Sequence, residues 1–322
     1  MTKDIETLIA DLDSVNWIQA ATAIYNIVKE EVHGNFIESE RQKHEPERQE
    51  SLRLARIKWV AAAREDIENL DKYLNSYTAE IEKINMIVQD NLNYDLLNQI
   101  RINAQMLSKK CPSMIAAIKY IDADKGKQEA SIRLQAIIGS VVGGSTIQSG
   151  KANAGQAGEM MVSAMFEVMG LEKGIDYGAQ FKSEIHANTD FTLPYAEKNR
   201  PQDVEVFMAV QFSSNDRLRM VSGELKTGAK AYAIIGNGME ASTKPLTALP
   251  TKTLKGMVER GHRMVCYKEE LHKTITELKK KSNRQKANGG PYANAKSAKD
   301  RLDYFKDYAM TFAEFAKKYR PS

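Results

Sequence analysis

The sequence has little cysteine and no long apolar run, and each absence excludes a class of protein. The two cysteines, Cys111 and Cys266, lie far apart, so they suggest neither a disulfide framework nor a zinc-type cluster. No apolar run approaches the roughly 20 residues that a membrane-spanning helix needs. The first residues, MTKDIETLIADLDSVNW, carry acids within their apolar pattern and lack a signal-peptide core. We therefore expect a cytoplasmic protein in a reducing compartment.

Acidic residues are scarce in one part of the chain. The net charge of the whole chain is only +4, and its pI is about 8.7. Between Lys268 and Arg301, however, ten lysines and arginines stand against four acids. A local excess of this kind predicts a surface for a polyanion. The alternative is a solvated helix face followed by a loop.

Glycine and proline are both absent from residues 48–111, where apolar residues recur at helical spacing. This pattern predicts a helical domain over residues 1–138, with a role in dimerisation, in clamping DNA or in specificity. The stretch GSVVGGSTIQSG, at 139–150, predicts a linker because it is rich in glycine and serine. Helix and strand patterns alternate after it. We therefore predict an α/β (α+β) catalytic domain over residues 139–322.

The stretch VSGELKTGAK, at 221–230, places Glu224 and Lys226 on one face of a predicted strand. The segment DVEVFMAVQFSSNDRLRMVSGELK, at 203–226, has two apolar, β-branched arms around a polar SSND, which predicts a β-hairpin. Counting back from this turn sets Glu224 near Glu205 and Lys226 near Asp203. Opposed residues on one face of a hairpin lie about 5 Å apart at Cβ. The alternative is a cross-strand ion pair on a solvated face.

Three carboxylates beside one lysine repel each other, and a divalent cation would offset that repulsion. Carboxylate oxygens suit Mg²⁺, which polarises a phosphate and lowers the pKa of a bound water. A lysine beside the metal positions the water and offsets charge that builds on the phosphate. We therefore expect phosphodiester hydrolysis, in which Asp203 and Glu224 hold the metal and Lys226 attends the nucleophile.

An acid at the start of one strand, followed by Glu-x-Lys on the next, resembles the PD-(D/E)XK nuclease superfamily. The matching residues are Asp203 in Pro201-Gln202-Asp203 and the pair Glu224 and Lys226; with the helical region before them, they resemble a type II restriction endonuclease. The resemblance implies a central mixed β-sheet flanked by helices, Mg²⁺ as cofactor and a homodimer on double-stranded DNA. It also implies a supporting acid on a preceding helix, for which Glu159 is the matching position. Asp190 and Glu205 remain alternatives to Asp203 as the first metal ligand.

Polar residues around the predicted site are candidates for DNA contacts. They lie in the predicted turn and in the loop after the site: Asn215, Arg217, Arg219, Lys230, Asn237 and Lys244. The function expected from these patterns is a sequence-specific DNA endonuclease, with a cognate methyltransferase encoded nearby. The alternatives are a structure-selective repair or recombination nuclease and a non-catalytic DNA-binding scaffold.

Overall fold

The computed structural model describes residues 4–102, 109–124, 129–181, 189–196, 203–211, 230–235, 246, 249–287 and 292–321. Only the backbone is described at 93–102, 124, 143–154, 181, 211, 230, 235, 284–287 and 292–296. The chain forms two compact units. One comprises Met1–Leu52 and Lys83–Asn153, and the other comprises Arg53–Glu82 and Ala154–Ser322.

The first half of the chain is helical, which confirms that part of the fold prediction. The helices are α1 (Ile5–Ala10), α2 (Trp17–Glu30), α3 (Glu38–Glu65), α4 (Leu70–Ile102), α5 (Pro112–Asp124) and α6 (Glu129–Val168), with a π-helical segment (Glu31–Ile37) between α2 and α3. No helix within the described ranges is long and apolar enough to cross a membrane.

The linker predicted at residues 139–150 is wrong, because these residues lie inside α6. Each glycine weakens a helix by about 1 kcal/mol relative to alanine. Apolar side chains that flank the stretch, such as Leu134 before it and Met161 after it, are fully buried. Packing at both ends therefore outweighs the low helix propensity between them.

The first unit packs around one stripe of α2 and the segment after it. Ala20, Ile24, Val28 and Val32 recur every four residues and are buried, and they belong to one apolar cluster with side chains from α1, α5 and α6. The Glu31 carboxylate accepts hydrogen bonds from the amides of Ser113, at 2.9 Å, and Met114, at 3.2 Å. These amides belong to the first turn of α5 and have no partner within that helix. Glu31 therefore caps α5 from a distant part of the chain.

The second unit contains a six-stranded mixed sheet, as the fold prediction expected. Its strands are β1 (Gly178–Phe181), β2 (Thr189–Leu193), β3 (Val206–Gln211), β4 (Lys230–Ile235), β5 (Arg263–Cys266) and β6 (Ala309–Thr311). They lie in sequence order across the sheet. β1, β2 and β3 pair antiparallel, whereas β3 to β6 pair parallel. The later helices are α7 (Thr251–Glu259), α8 (Lys268–Ala287), α9 (Tyr292–Asp307) and α10 (Phe312–Tyr319).

Helices cover both faces of this sheet. On one face, Ala233, Met264 and Cys266 belong to an apolar cluster with buried side chains of α7, α8 and α9. On the other face, the Phe191 ring meets Phe166 of α6 with 5.6 Å between centroids. Further along that face, Tyr232 meets Phe315 of α10 at 5.1 Å. Fully burying such side chains contributes roughly 1.5–3 kcal/mol each, so the sheet is held between two helical layers.

Asp71, near the start of α4, ties three elements of the second unit together. Its Oδ1 accepts hydrogen bonds from the amides of Lys268, at 3.0 Å, and Phe312, at 3.3 Å, and its Oδ2 accepts one from Ala313 at 3.1 Å. These amides lie in the first turns of α8 and α10, where helix N–H groups lack intrahelical partners. Burial raises the pKa of the Asp71 carboxyl, and the three amides oppose that rise. One carboxylate thus satisfies two helix ends.

The close approach of β1 and β2 should make Gly178 intolerant of a side chain. A Cβ at Gly178 would lie 2.5 Å from Oγ1 of Thr192, its cross-strand partner, which is fully buried. We expect Gly178→Ala to lower the free energy of unfolding by about 1–3 kcal/mol because the strands must separate. Urea unfolding measures this loss.

The matched control is Gly155→Ala, in α6, where an added Cβ meets open space. That substitution should stabilise the protein by about 0.5–1 kcal/mol, since alanine favours a helix. Equal effects of the two substitutions would contradict the close approach of β1 and β2.

His262 should make the second unit less stable in mild acid. The side chain is 1% exposed, and neither ring nitrogen has a hydrogen-bond partner among the described residues. Burial, aided by the Arg260 charge, lowers its pKa below 6.5 in the folded protein. Below about pH 6.5 the unfolded chain therefore binds a proton that the folded chain excludes, so stability falls as pH falls. Urea unfolding from about pH 7 to about pH 5.5 should show up to about 1.4 kcal/mol per pH unit more loss in the wild type than in His262→Leu.

His272, which is exposed on α8, provides the control. His272→Leu should retain the pH dependence of the wild type. An identical pH dependence in wild type and His262→Leu would contradict this account.

Candidate active site

Four of the predicted site residues have described side chains: Glu159, Asp190, Asp203 and Glu205. Lys230 is described by its backbone only, as the first residue of β4. The other predicted residues lie outside the described ranges: Asn215, Arg217, Arg219, Glu224, Lys226, Asn237 and Lys244.

The predicted hairpin is wrong in its pairing. β3 has β2 on one edge and β4 on the other, so both edges of Val206–Gln211 are taken. A second arm at residues 219–226 therefore cannot pair with this strand, and the placement of Glu224 and Lys226 opposite Glu205 and Asp203 loses its basis. Residues 212–229 are instead the connection between two parallel strands. Such a connection needs a dozen or more residues. The predicted turn at SSND lies outside the described residues.

A backbone hydrogen bond holds the side chain of Asp190 against the sheet. Asp190 is the second residue of β2 and is half-buried. Its Oδ2 accepts a hydrogen bond of 2.7 Å from the backbone amide of Val210 in β3. This contact fixes the carboxylate against the neighbouring strand and satisfies a buried amide. Asp190 thus has the fixed position that a metal ligand or a catalytic acid requires.

Glu159 reaches the same pair of strands from α6. Its Oε1 accepts a hydrogen bond of 2.8 Å from Nε2 of Gln180 in β1. The register of β1 and β2, with Gly178 opposite Thr192 and Phe181 opposite Thr189, sets Gln180 level with Asp190. Gln180 therefore connects Glu159 of α6 to β1, at the position level with Asp190 of β2.

Gln180 is the residue at this site that sequence reasoning missed. Its φ of 54° lies in the left-handed region, which costs a non-glycine residue roughly 1–2 kcal/mol. Strained residues of this kind are concentrated at functional sites. No pattern in the sequence marks Gln180, because its importance depends on the pairing register.

Asp203 and Glu205 lie at the other end of β3 from Asp190. Both are exposed, and the Glu205 amide donates to the carbonyl of Leu193 at 2.9 Å. Asp190 is level with Ala209, which is four residues beyond Glu205. At 3.3 Å per residue, Asp190 and Glu205 are therefore about 13 Å apart along the strands. Ligands of one hard cation lie about 2.0–2.6 Å from it. One metal therefore cannot take both Asp190 and either acid at the start of β3.

β3 ends near Asp190, because its last residue, Gln211, is two residues beyond the level of Asp190. β4 begins at Lys230, opposite Val206. Among the described side chains no group of three or more His, Cys, Asp or Glu is arranged to hold a metal ion. The connection from β3 to β4 contains Glu224, which lies outside the described residues.

The basic patch predicted between Lys268 and Arg301 includes one face of α8. Leu271, Thr274 and Leu278 form its buried stripe. Lys273, Lys279 and Lys280 are exposed, and in the described part of the chain none of the three has an acidic partner. Lys281 differs, since it lies 4.0 Å from the carboxylate of Glu277. Three uncompensated lysines along one helix face suit a phosphate backbone.

No protein-family model, curated protein sequence or solved structure matches this chain. The resemblance to PD-(D/E)XK nucleases therefore has no support from relatives. It rests on the acids, the Glu-x-Lys segment and the mixed sheet of this chain alone.

The hydrogen bond to Asp190 should depend on an oxygen at that position. Asp190→Asn keeps an acceptor for the Val210 amide, so we expect a loss of less than about 1 kcal/mol in the free energy of unfolding. Asp190→Ala leaves the buried amide without its partner and should cost about 1–3 kcal/mol. Urea unfolding of the two variants measures the difference.

Asp203→Ala is the control, because Asp203 is exposed; its effect should stay within about 0.5 kcal/mol. If Asp190→Ala were as harmless as Asp203→Ala, the carboxylate would not be held by the sheet.

Proposed function

We propose that this protein is a Mg²⁺-dependent, sequence-specific endonuclease that cuts double-stranded DNA, as type II restriction enzymes do. The observation that carries the proposal is the fixed, half-buried Asp190 carboxylate. This carboxylate is hydrogen-bonded to β3, and the segment that contains Glu224 and Lys226 follows β3 in the chain. Two carboxylates and a lysine are the groups that metal-assisted phosphodiester hydrolysis uses.

In this proposal Asp190, rather than Asp203, is the first metal ligand. The sheet fixes Asp190 through Val210, whereas Asp203 is exposed before β3 begins. Glu224 would supply the second carboxylate. Mg²⁺, when bound, would polarise the scissile phosphate and lower the pKa of an attacking water. Lys226 would orient that water and offset negative charge on the phosphate. Glu159 supports the site through Gln180, which it holds across from Asp190.

Double-stranded DNA is the partner in this proposal, and the exposed lysines of α8 would contact its backbone. Asn215, Arg217, Arg219, Lys230, Asn237 and Lys244 remain the candidates for contacts near the site. A homodimer would match two-fold symmetric DNA. The proposed setting is the cytoplasm, with a cognate methyltransferase that protects the cell's own DNA.

Cleavage should require Mg²⁺, Asp190 and Lys226. Purified protein incubated with unmethylated plasmid and phage DNA should give discrete fragments with Mg²⁺ and none with EDTA. Lys226→Ala and Asp190→Asn should each lower the cleavage rate by roughly a hundredfold or more, since each removes a group that stabilises the transition state. Asp203→Asn should cleave at a rate close to that of the wild type.

The other outcomes assign different functions. A Mg²⁺-dependent smear would indicate a structure-selective or nonspecific nuclease, of the kind used in repair or recombination. DNA binding without cleavage, unchanged by Lys226→Ala and independent of metal, would indicate a non-catalytic DNA-binding scaffold. Loss of cleavage in Asp203→Asn but not in Asp190→Asn would indicate that the metal site lies at the start of β3.

Binding to duplex DNA should depend on the lysines of α8. In Lys273→Ala/Lys279→Ala/Lys280→Ala, the slope of log affinity against log salt concentration should decrease by about one per lysine that contacts a phosphate. Fluorescence anisotropy with a labelled duplex across a range of salt concentrations measures this slope.

A charge-matched triple variant serves as the control. Lys72, Lys83 and Lys119 are also exposed but lie on α4 and α5. Their replacement by alanine should leave the slope nearly unchanged. Equal effects of the two triple variants would indicate that net charge, and not the α8 face, governs binding.

A further inference from the structure

A small polar cavity lies where β4 and β5 begin. Its volume is about 100 Å³, and it is lined by Ala231, Tyr232, Gly261, Arg263 and Lys318. The cavity is separate from the candidate active site. Arg263 is in β5, three strands away from Asp190 in β2, at about 4.8 Å per strand.

The sheet and α10 together bring the polar side chains to this cavity. Tyr232 and Arg263 are register partners on adjacent parallel strands, so their side chains project from the same face of the sheet. The Phe315 ring of α10 packs edge-on against Tyr232 with 5.1 Å between centroids. Lys318 follows Phe315 by three residues and lies on the same side of the helix. Two cations from different elements therefore line one cavity.

Aromatic groups, rather than carboxylates, hold the Lys318 ammonium. Its Nζ donates to the Tyr232 hydroxyl at 3.2 Å and lies 5.9 Å and 5.3 Å from the ring centroids of Tyr232 and Tyr319. The hydroxyls of Tyr232 and Tyr319 share a hydrogen bond of 2.7 Å. Because an ammonium only donates, Tyr232 must accept from it. The phenols therefore position Lys318 without neutralising its charge.

The charge around the cavity is unbalanced. In the described part of the chain, neither Lys318 nor Arg263 forms an ion pair with a carboxylate. Burial and the hydrogen bond to Tyr232 raise the pKa of Tyr319; the nearby Glu205 charge adds to that rise, and the Arg263 charge opposes it. Among the described residues, one exposed acid, Glu205, therefore stands against the two cations that line the cavity. Cations in a partly enclosed site repel each other, and an anion between them relieves that repulsion.

We propose that this cavity binds a phosphate group. A volume of about 100 Å³ corresponds to roughly three water molecules, which leaves room for one tetrahedral oxyanion. Arg263 would bind two of its oxygens through the planar guanidinium, and Lys318 would bind a third as a point charge. The phosphate could belong to a DNA backbone or be free inorganic phosphate. The inference does not rest on the proposed nuclease activity.

Calorimetric titration of the full chain with inorganic phosphate, at constant ionic strength in chloride, tests the proposal. The wild type should bind phosphate saturably. Arg263→Gln and Lys318→Met should each weaken binding at least tenfold, whereas Arg263→Lys should retain more affinity than Arg263→Gln. Circular dichroism and thermal unfolding verify that each variant is folded.

Lys317→Met is the matched control. Lys317 precedes Lys318 in the chain, is 49% exposed and pairs with Glu68, so its loss removes the same charge without touching the cavity. This variant should bind phosphate as the wild type does. The proposal would be overturned if Lys317→Met weakened saturable binding as much as Lys318→Met does. It would also be overturned if the cavity bound neither phosphate nor duplex DNA saturably.

Competition with duplex DNA identifies the source of the phosphate. If phosphate displaces a duplex from the wild type, and Arg263→Gln weakens duplex binding at least tenfold, the cavity takes a backbone phosphate. If the wild type binds phosphate while duplex binding is unaffected, the cavity takes free phosphate, and both results support the site. Asp190→Asn should bind phosphate as the wild type does, because Asp190 is not part of the cavity. Phosphate binding therefore tests this proposal separately from the proposed nuclease function.

Discussion

The pairing of β3 is the constraint on which the rest of the second unit depends. This strand pairs antiparallel with β2 and parallel with β4, so it is the point at which the sheet changes direction. The antiparallel side gives Asp190 a backbone amide to hold its carboxylate. The parallel side forces the chain to cross over through residues 212–229 before β4 can begin. The same strand therefore fixes one acid of the proposed site and determines where the segment with Glu224 and Lys226 joins the sheet.

Carboxylates from distant parts of the chain cap helices in both units. Asp71 caps α8 and α10 in one unit, and Glu31 caps α5 in the other. A helix begins with N–H groups that lack partners, so a buried helix start needs an acceptor from elsewhere. The N-terminal end of a helix also favours a negative charge. The Asp71 carboxylate is costly to bury, as its raised pKa indicates, and its three hydrogen bonds offset that cost.

The sequence predicted the parts of the fold that depend on local patterns. Apolar spacing found the early helices, and β-branched runs found β3. It failed where distant packing decides, as at residues 139–150, which are helical despite their glycines. Near the C-terminus, β6 separates α9 from α10, and Thr311 caps the helix that follows. Of the candidate site, the acids themselves were visible. The role of Gln180 and the separation of Asp190 from Asp203 were not, because both depend on strand register.

Iron-directed cleavage of the chain tests most directly whether a metal binds at the proposed site, Asp190 with Glu224. Fe²⁺ occupies oxygen-ligand sites and, with ascorbate and peroxide, generates radicals that cut the nearby backbone. We expect cuts near residues 190 and 224, which excess Mg²⁺ prevents and which are absent in Asp190→Asn. Cuts near residues 203–205 instead, or no cut that Mg²⁺ prevents, would contradict it.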